Sequence, residues 1–251
     1  MNQKITAFLF GLLGTTLLIC SCFLALYFRQ SSQQAALYSR LAASASYFDT
    51  GELTGEGSLL PEREELYEQN PDMVGWIRIE GTGIDYPVMQ TPADPSYYLK
   101  HDFEKNYTDY GCPFAQANCD VQAPSDNVII YGHNMKDGSM FADLAKYHSK
   151  DFWQAHKTVR FDTSAGSSAY EIFAVIRTTV QADADAAFLF YRFVDAAAPE
   201  EFADYVSACQ VRALYDTGIS AEYGDKLLTL STCDNITENG RLLVIAKRIL
   251  Y

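Results

Sequence analysis

The strongest constraint on this chain is an apolar run near its amino terminus. Residues 5–28 contain no charged side chain, and about 20 such residues are enough for a helix to cross the hydrocarbon core of a bilayer. Lys4 and the amino terminus precede the run and Arg29 follows it, so a weak positive bias places the amino terminus in the cytoplasm. We therefore predict a single-pass signal-anchor over residues 1–29, with the remaining chain outside the cytoplasm.

Two other interpretations of this run stay open. A signal peptide would be cleaved near the end of the run, but the small residues Ala43 and Ala45 lie too far beyond it. A lipoprotein would be modified at Cys20 or Cys22, but Ile19 is bulkier than the small residue usual before such a cysteine. The length of the run favours an uncleaved anchor.

The next segment differs in composition from the rest of the chain. Residues 30–60 are rich in Ser, Ala, Gln and Gly, which indicates an extracytoplasmic stalk. The helix can continue to about Tyr47, whereas residues 49–58 are turn-like. Pro61, followed by acidic residues, is typical of a helix start. We predict one folded domain over residues 61–251.

Charge and cysteine content exclude some classes of function. The chain has 19 Lys and Arg against 32 Asp and Glu and no basic stripe, which argues against a nucleic-acid partner. The cysteines form no CxxC pair and have no histidine at zinc-ligand spacing, and no phosphate loop or dinucleotide motif is present. We therefore expect no metal and no cofactor. Cys112 and Cys119 flank a loop and could form a disulfide, whereas burial is the simplest interpretation of Cys209.

Short apolar segments separated by Gly and Pro predict a mainly β fold with helices. The predicted strands cover residues 76–79, 84–88, 97–99, 127–131, 158–161 and 170–179. One helix, capped by Ser139, would bury Phe141, Leu144 and Tyr147. A second helix over residues 198–212 precedes the last two strands.

Three residues with complementary chemistry are predicted to lie at strand ends. Residues 226–231 and 241–246 form two buried strands, so Cys233 leaves one strand where Arg241 enters the next. A permanent cation favours the thiolate and can hold an oxyanion. The strand over residues 127–131 delivers His133, which can carry protons.

These motifs resemble those of sortases, the membrane-anchored cysteine transpeptidases of Gram-positive cell surfaces. The motif TLSTC ends at Cys233, Arg241 follows it, and YGHN contains His133. The sequence YGHNM, the block NPDMVGWIRIEGTGIDYPVMQ with YYLKHDF after it, and the helix-bearing insertion before TLSTC are most similar to class B. The resemblance begins near Leu60 and reaches the carboxyl terminus. It implies a closed antiparallel β-barrel of about eight strands, with an amino-terminal helix and a helix inserted before the Cys233 strand.

The resemblance also implies roles for these residues. Cys233 would form a thioester, His133 would act as general acid and then as general base, and Arg241 would position the substrate and stabilise the oxyanion. Four further residues match groove positions at which substrate is expected to bind: Leu99, Thr229, Ser231 and Thr232.

A possible third catalytic residue is the point at which the sequence departs from the family. Some class B members place an acid shortly after the cysteine to orient the histidine. Here Cys233 is followed by Asp234 and Asn235. If the acid belongs two residues after the nucleophile, this chain has an amide there, so the orienting group stays open between Asp234, Asn235 and neither.

The implied function is cleavage of a carboxyl-terminal sorting motif in secreted proteins. The acyl part would then pass to an amine of a cell-wall precursor, anchoring the protein to peptidoglycan. Three alternatives stay open: a cysteine hydrolase of peptides or peptidoglycan, a pilin-polymerising sortase, and an anchored binding domain with a degenerate site. The chain order His, Cys, Arg disfavours the papain-like and NlpC-like classes, in which Cys comes first. We expect a monomer.

Overall fold

The computed structural model describes residues 3–46, 61–179, 188–234 and 239–249. The chain divides into two compact units, Met1–Arg40 and Leu41–Tyr251. Helix α1 (Gln3–Ser46) contains a segment, Phe8–Ala45, that is long and apolar enough to cross a membrane. The helix therefore continues past residue 29, as its composition predicted. The turn-like part of the predicted stalk lies outside the described residues, and the domain boundaries stay predictions.

Eight strands of the described chain close into a barrel, in the spatial order β1-β2-β3-β4-β7-β8-β6-β5. They are β1 (Met73–Arg78), β2 (Asp85–Met89), β3 (Phe114–Ala115), β4 (Asn127–Tyr131), β5 (Thr158–Thr163), β6 (Gly166–Thr179), β7 (Leu227–Asp234) and β8 (Gly240–Arg248). The predicted closed barrel of about eight strands with helices is confirmed.

The barrel is mixed rather than wholly antiparallel. Strand β3 runs parallel to β2, and β7 runs parallel to β4. Parallel neighbours need a long crossover connection, and the chain between β4 and β7 is long enough to include β5, β6 and two α-helices. The sequence predicted the strands but not this pairing, which brings the carboxyl ends of β4 and β7 to the same edge of the barrel.

The helices of the second unit are short. The α-helices are α2 (Pro61–Gln69), α3 (Lys150–Ala155) and α4 (Pro199–Arg212), and the 3-10 helices are Tyr97–Leu99, Ala142–His148 and Phe190–Arg192. The prediction of a strand at residues 97–99 is wrong. Helix α4 is the predicted inserted helix before the Cys233 strand; it begins with Pro199 and has acids in its first turn, both of which favour a helix start.

Helix α4 belongs to a hydrophobic cluster with one face of the sheet. The cluster joins Phe202 and Cys209 of α4 to Ile129 of β4, Leu227 of β7 and Leu243 of β8. The alternate residues of these three strands face the other way and are also buried. Strands that are buried on both faces have continuous apolar sequences. This is why β4, β7 and β8 could be predicted from the sequence. They form a well-packed platform whose ends carry the chemistry described next.

Candidate active site

Three chemically active side chains lie in a row across neighbouring strands. In the parallel register of β4 and β7, Tyr131 is level with Ser231. His133 lies two residues past the end of β4, and Cys233 lies two residues past Ser231 within β7. On the other side of β7, Cys233 lies directly opposite Arg241 of β8. The sheet therefore places the cysteine between the histidine and the arginine.

Hydrogen bonds hold the end of β4 against the end of β7. The Gly132 amide donates to the Ser231 carbonyl at 3.1 Å, and the Thr232 hydroxyl donates to the Gly132 carbonyl at 2.8 Å. One residue further along, Asn134 Nδ2 donates to the Cys233 carbonyl at 2.9 Å. Sequence reasoning missed Asn134, because nothing in its type or spacing indicates this partner. These bonds fix the backbones that carry the histidine and the cysteine.

Cys233 differs from the other cysteines of the second unit in its exposure. Its thiol is open to solvent, whereas Cys112, Cys119 and Cys209 are buried. Burial raises the pKa of the Cys119 thiol to about 11 and that of Cys209 to about 12, so both stay protonated near neutral pH. Cys112 and Cys119 are unbridged, and their thiols donate to the carbonyls of Pro87 and Asn127. Only the Cys233 thiol of this unit is reachable by a substrate.

His133 is half-buried and contacts a backbone group of the loop between β2 and β3. Its Nε2 lies 2.8 Å from the carbonyl oxygen of Leu99. The Leu99 side chain is 41% exposed. Among the predicted substrate-groove residues, Leu99 therefore lies beside the histidine with its side chain open to solvent.

Arg241 adds a permanent positive charge on the face of the sheet that carries Cys233. Its Nη1 donates to the Gly240 carbonyl at 2.9 Å. Burial raises the pKa of Tyr131, and the charge of Arg241 acts in the opposite direction. The guanidinium therefore acts electrostatically on the end of β4. This position suits a group that binds a developing negative charge.

Asp234 has a different partner from the one a catalytic triad would require. Its carboxylate accepts a hydrogen bond from Arg177 Nε at 2.6 Å, and its side chain is almost fully buried. Successive side chains of a strand point to opposite faces, so Asp234 is directed away from the face that carries Cys233. An orienting role for Asp234 stays a prediction, and Asn235 lies outside the described residues.

The other predicted substrate-binding residues are buried. Thr229 is fully buried, and its hydroxyl donates to Asn127 Oδ1 at 2.8 Å. Ser231 and Thr232 are also buried. The structure places these three in contacts between strands rather than on an open groove, and direct contact with a substrate stays a prediction.

The fold and this arrangement of residues suit covalent catalysis by a cysteine. The thiol is exposed, a proton carrier and a cation flank it, and all three lie at one edge of a closed barrel. Within the part of the chain that the structure describes, no group of three or more His, Cys, Asp or Glu residues is arranged to hold a metal ion.

Comparison with known proteins gives the family. A sequence model described as the sortase domain matches residues 77–249. Sortase B of Listeria monocytogenes is 36% identical over 218 residues, which cover 85% of this chain and 81% of that protein. A solved Staphylococcus aureus sortase B-substrate complex has a TM-score of 0.77 at 27% identity, covering 88% of this chain and 98% of that one. A sortase B complexed with triglycine has a TM-score of 0.76 at 26% identity, covering 88% and 99%.

The chain therefore belongs to the sortase family, and it is a transpeptidase of the class B type.

Proposed function

We propose that Cys233, His133 and Arg241 perform the two acyl-transfer steps of this transpeptidase. The observation that carries this assignment is their common edge of the sheet: Cys233 is paired with Arg241 in the β7-β8 register, and His133 lies between Gly132 and Asn134, which both hydrogen-bond to the end of β7. The exposed thiol supports Cys233 as the nucleophile, since the other cysteines of its unit are buried.

In the first step, the Cys233 sulfur, as a thiolate whose proton has passed to His133, bonds to the carbonyl carbon of the scissile amide. The carbonyl oxygen becomes an oxyanion, to which the Arg241 guanidinium donates hydrogen bonds. The carbon-nitrogen bond then breaks, and the amine leaves with a proton supplied by His133. The acyl part of the substrate stays on Cys233 as a thioester.

In the second step, an acceptor amine attacks the thioester carbon. His133, now neutral, takes a proton from the entering nitrogen. Arg241 again binds the oxyanion, and the Cys233 sulfur leaves as a thiolate. The product is an amide, and the enzyme returns to its starting state. The acceptor must bind where the first amine departed, because the same imidazole serves both.

We propose that the acyl donor is a carboxyl-terminal sorting motif of a secreted protein and that the acceptor is an amine of a cell-wall precursor. The family acts on sorting motifs and amine acceptors. One structural relative was solved with a substrate and another with triglycine, which makes a short glycine peptide a reasonable first acceptor to test. The product would be a surface protein joined to peptidoglycan.

We also propose that helix α1 anchors the enzyme in the cell membrane with its amino terminus in the cytoplasm and the barrel outside. The apolar segment Phe8–Ala45 supports this placement, as does Lys4 on its amino-terminal side. A barrel on the outer side would meet both secreted substrates and cell-wall precursors.

The experiment uses the full-length chain in detergent micelles and a library of sorting-motif peptides. Mass analysis should detect an acyl-enzyme on Cys233 when peptide alone is supplied. Adding triglycine or hydroxylamine should raise turnover and replace the free acid with an amide or a hydroxamate, with ping-pong kinetics. Free acid as the only product at every acceptor concentration, at a rate that amine does not alter, would instead assign these residues to a hydrolase.

A further inference from the structure

We propose that the backbone carbonyl of Leu99, held in place by Gly111, orients the His133 imidazole and thus has the role that a carboxylate has in a catalytic triad. This inference rests on the proposed function, in which His133 is the proton carrier. It makes Gly111 a positioning residue, because it acts on the histidine through the Leu99 carbonyl.

The contact between Leu99 and His133 determines which ring nitrogen carries a proton. A carbonyl oxygen only accepts hydrogen bonds, so Nε2, which lies 2.8 Å from it, carries the hydrogen. In the neutral ring, Nδ1 is then the free nitrogen that exchanges a proton with the reacting groups. When Nδ1 gains that proton, the carbonyl dipole stabilises the imidazolium. An orienting carboxylate likewise fixes the tautomer and stabilises the imidazolium in other enzymes, although in the Ser-His-Asp triad it bonds Nδ1 and leaves Nε2 free.

The Leu99 carbonyl is well fixed for this purpose. Leu99 ends the 3-10 helix Tyr97–Leu99, and its amide donates to the Ser96 carbonyl at 3.0 Å. The preceding carbonyl, that of Tyr98, accepts from the Cys112 amide at 2.9 Å. The Tyr98 ring is buried, and its hydroxyl donates to Asp72 at 2.9 Å. The turn is thus attached to the domain immediately before the Leu99 carbonyl.

Gly111 packs flat against this peptide group. A Cβ at residue 111 would lie 2.5 Å from the Tyr98 oxygen and 2.9 Å from the Leu99 oxygen, both shorter than a normal contact. The backbone of Gly111 also has a φ of +60°, which favours glycine. Any side chain at this position would push the Leu99 carbonyl, and such a displacement would disturb its contact with His133.

The carboxylate beside the nucleophile is already engaged. Asp234 pairs with Arg177 and points to the opposite face from Cys233. The sequence has an amide, Asn235, two residues after the cysteine. A backbone acceptor explains how the histidine can be oriented without an acid at either position.

The test reads the imidazole directly. The full-length chain in detergent micelles is labelled with ring-15N histidine, and the His133 signals among the four histidines are assigned with His133→Gln. At a pH at which the ring is neutral, we expect a protonated Nε2, an unprotonated Nδ1, and an observable Hε2 resonance, because a hydrogen-bonded proton exchanges slowly. A ring with its proton on Nδ1, or one without an observable Hε2 resonance, would overturn the proposal.

Two glycine variants test the role of residue 111. Gly111→Ala should abolish the Hε2 resonance and slow acyl-enzyme formation by about tenfold or more with little change in KM, because misorienting a general acid loses part of its contribution. Gly218→Ala is the matched control: Gly218 has a φ of +73°, and its Cβ would meet nothing within 4 Å. Gly218→Ala introduces the same kind of backbone strain as Gly111→Ala but no steric contact. We therefore expect the Hε2 resonance and the rate to be unchanged in this variant.

A third variant tests whether the Leu99 carbonyl or the Asp234 carboxylate orients the imidazole of His133. Asp234→Asn should leave the Hε2 resonance unchanged, and loss of the resonance in this variant would return the orienting role to Asp234. If Gly111→Ala does not fold, the wild-type and Asp234→Asn spectra still decide whether the Leu99 carbonyl or the Asp234 carboxylate orients His133. The Hε2 resonance can be observed whether or not the enzyme transfers an acyl group. A hydrogen-bonded Nε2 proton in an enzyme that shows no transpeptidation would contradict the proposed function but not this inference.

Discussion

Cys233 and Arg241 lie directly opposite each other on adjacent antiparallel strands. Opposed residues in such a pair project to the same face, with Cβ atoms about 4.5 to 5.5 Å apart. At this spacing the guanidinium is long enough to reach the sulfur. In the proposed mechanism, the same sheet register would serve both the thiolate and the oxyanion.

The shape of the cation at position 241 should matter as well as its charge. In Arg241→Lys we expect transpeptidation to fall by about 100-fold, the usual loss when one oxyanion donor is removed, because an ammonium cannot reproduce the planar donor fork. Turnover of a sorting-motif peptide with triglycine measures this. Arg212→Lys, on the exposed face of α4, is the control and should keep its activity. Equal rates in the two variants would reduce Arg241 to a general electrostatic role.

The exposed thiol should be the sole nucleophile. Cys233→Ala should show no acyl-enzyme and no turnover while its circular dichroism is unchanged. The matched variant Cys209→Ala removes a buried thiol from α4 and should stay within about tenfold of the wild-type rate, which corresponds to about 1.4 kcal/mol in the barrier. Measurable transfer by Cys233→Ala would contradict the assignment.

The ion pair between Arg177 and Asp234 should contribute more to stability than to chemistry. Asp234→Ala leaves a partly buried guanidinium without this partner, and we expect it to lower the free energy of unfolding by about 1 to 3 kcal/mol. Its loss of activity should be smaller than that of His133→Ala. Urea unfolding of Asp234→Ala, Arg177→Ala and the double variant should reveal coupling between the two residues. A rate for Asp234→Ala as low as that of His133→Ala would point to a true triad.

Alkaline pH should weaken the fold through buried thiols. Burial raises the pKa of Cys209 from 9.0 to about 12, so the folded state keeps a proton that the unfolded state loses between these values. The resulting stabilisation is fully present below pH 9 and declines as pH rises toward 12. Cys209→Ala lacks this contribution.

The measurement is urea unfolding followed by the fluorescence of Trp76 and Trp153, both of which are buried. The difference in unfolding free energy between wild type and Cys209→Ala should shrink from about pH 8 to about pH 10.5. A constant or growing difference over that range would show that the Cys209 thiol does not titrate as its burial requires.

Local patterns predicted most elements but not their partners. The strands that contain Ile129, Leu230 and Val244 are visible in the sequence because both of their faces are buried. Nothing in those runs shows that β4 pairs with β7 in parallel. Phe141, Leu144 and Tyr147 recur every three residues, which suits the 3-10 helix found there. The predicted cap at Ser139 is wrong, because Phe141 takes the N-cap position and no side chain caps this helix.

Within the site, residue types indicated the candidate side chains that the structure brings to one edge of the barrel, but they missed the groups that contact those side chains. A backbone carbonyl, such as that of Leu99, has no signature in residue type, and its position depends on Gly111 packing from a later part of the loop. Thr229 matched a groove position, but its partner Asn127 comes from another strand. Contacts of this kind depend on the tertiary structure and cannot be predicted from local sequence patterns.

The parallel pairing of β4 and β7 also affects when activity can arise. Thr232 and Gly132, which hydrogen-bond beside the site, are 100 positions apart in the chain, and contacts between such distant segments tend to form slowly. Until they form, the thiol of Cys233 has neither the imidazole of His133 nor a fixed backbone beside it. A newly made chain therefore holds every residue of the candidate site before the site itself exists.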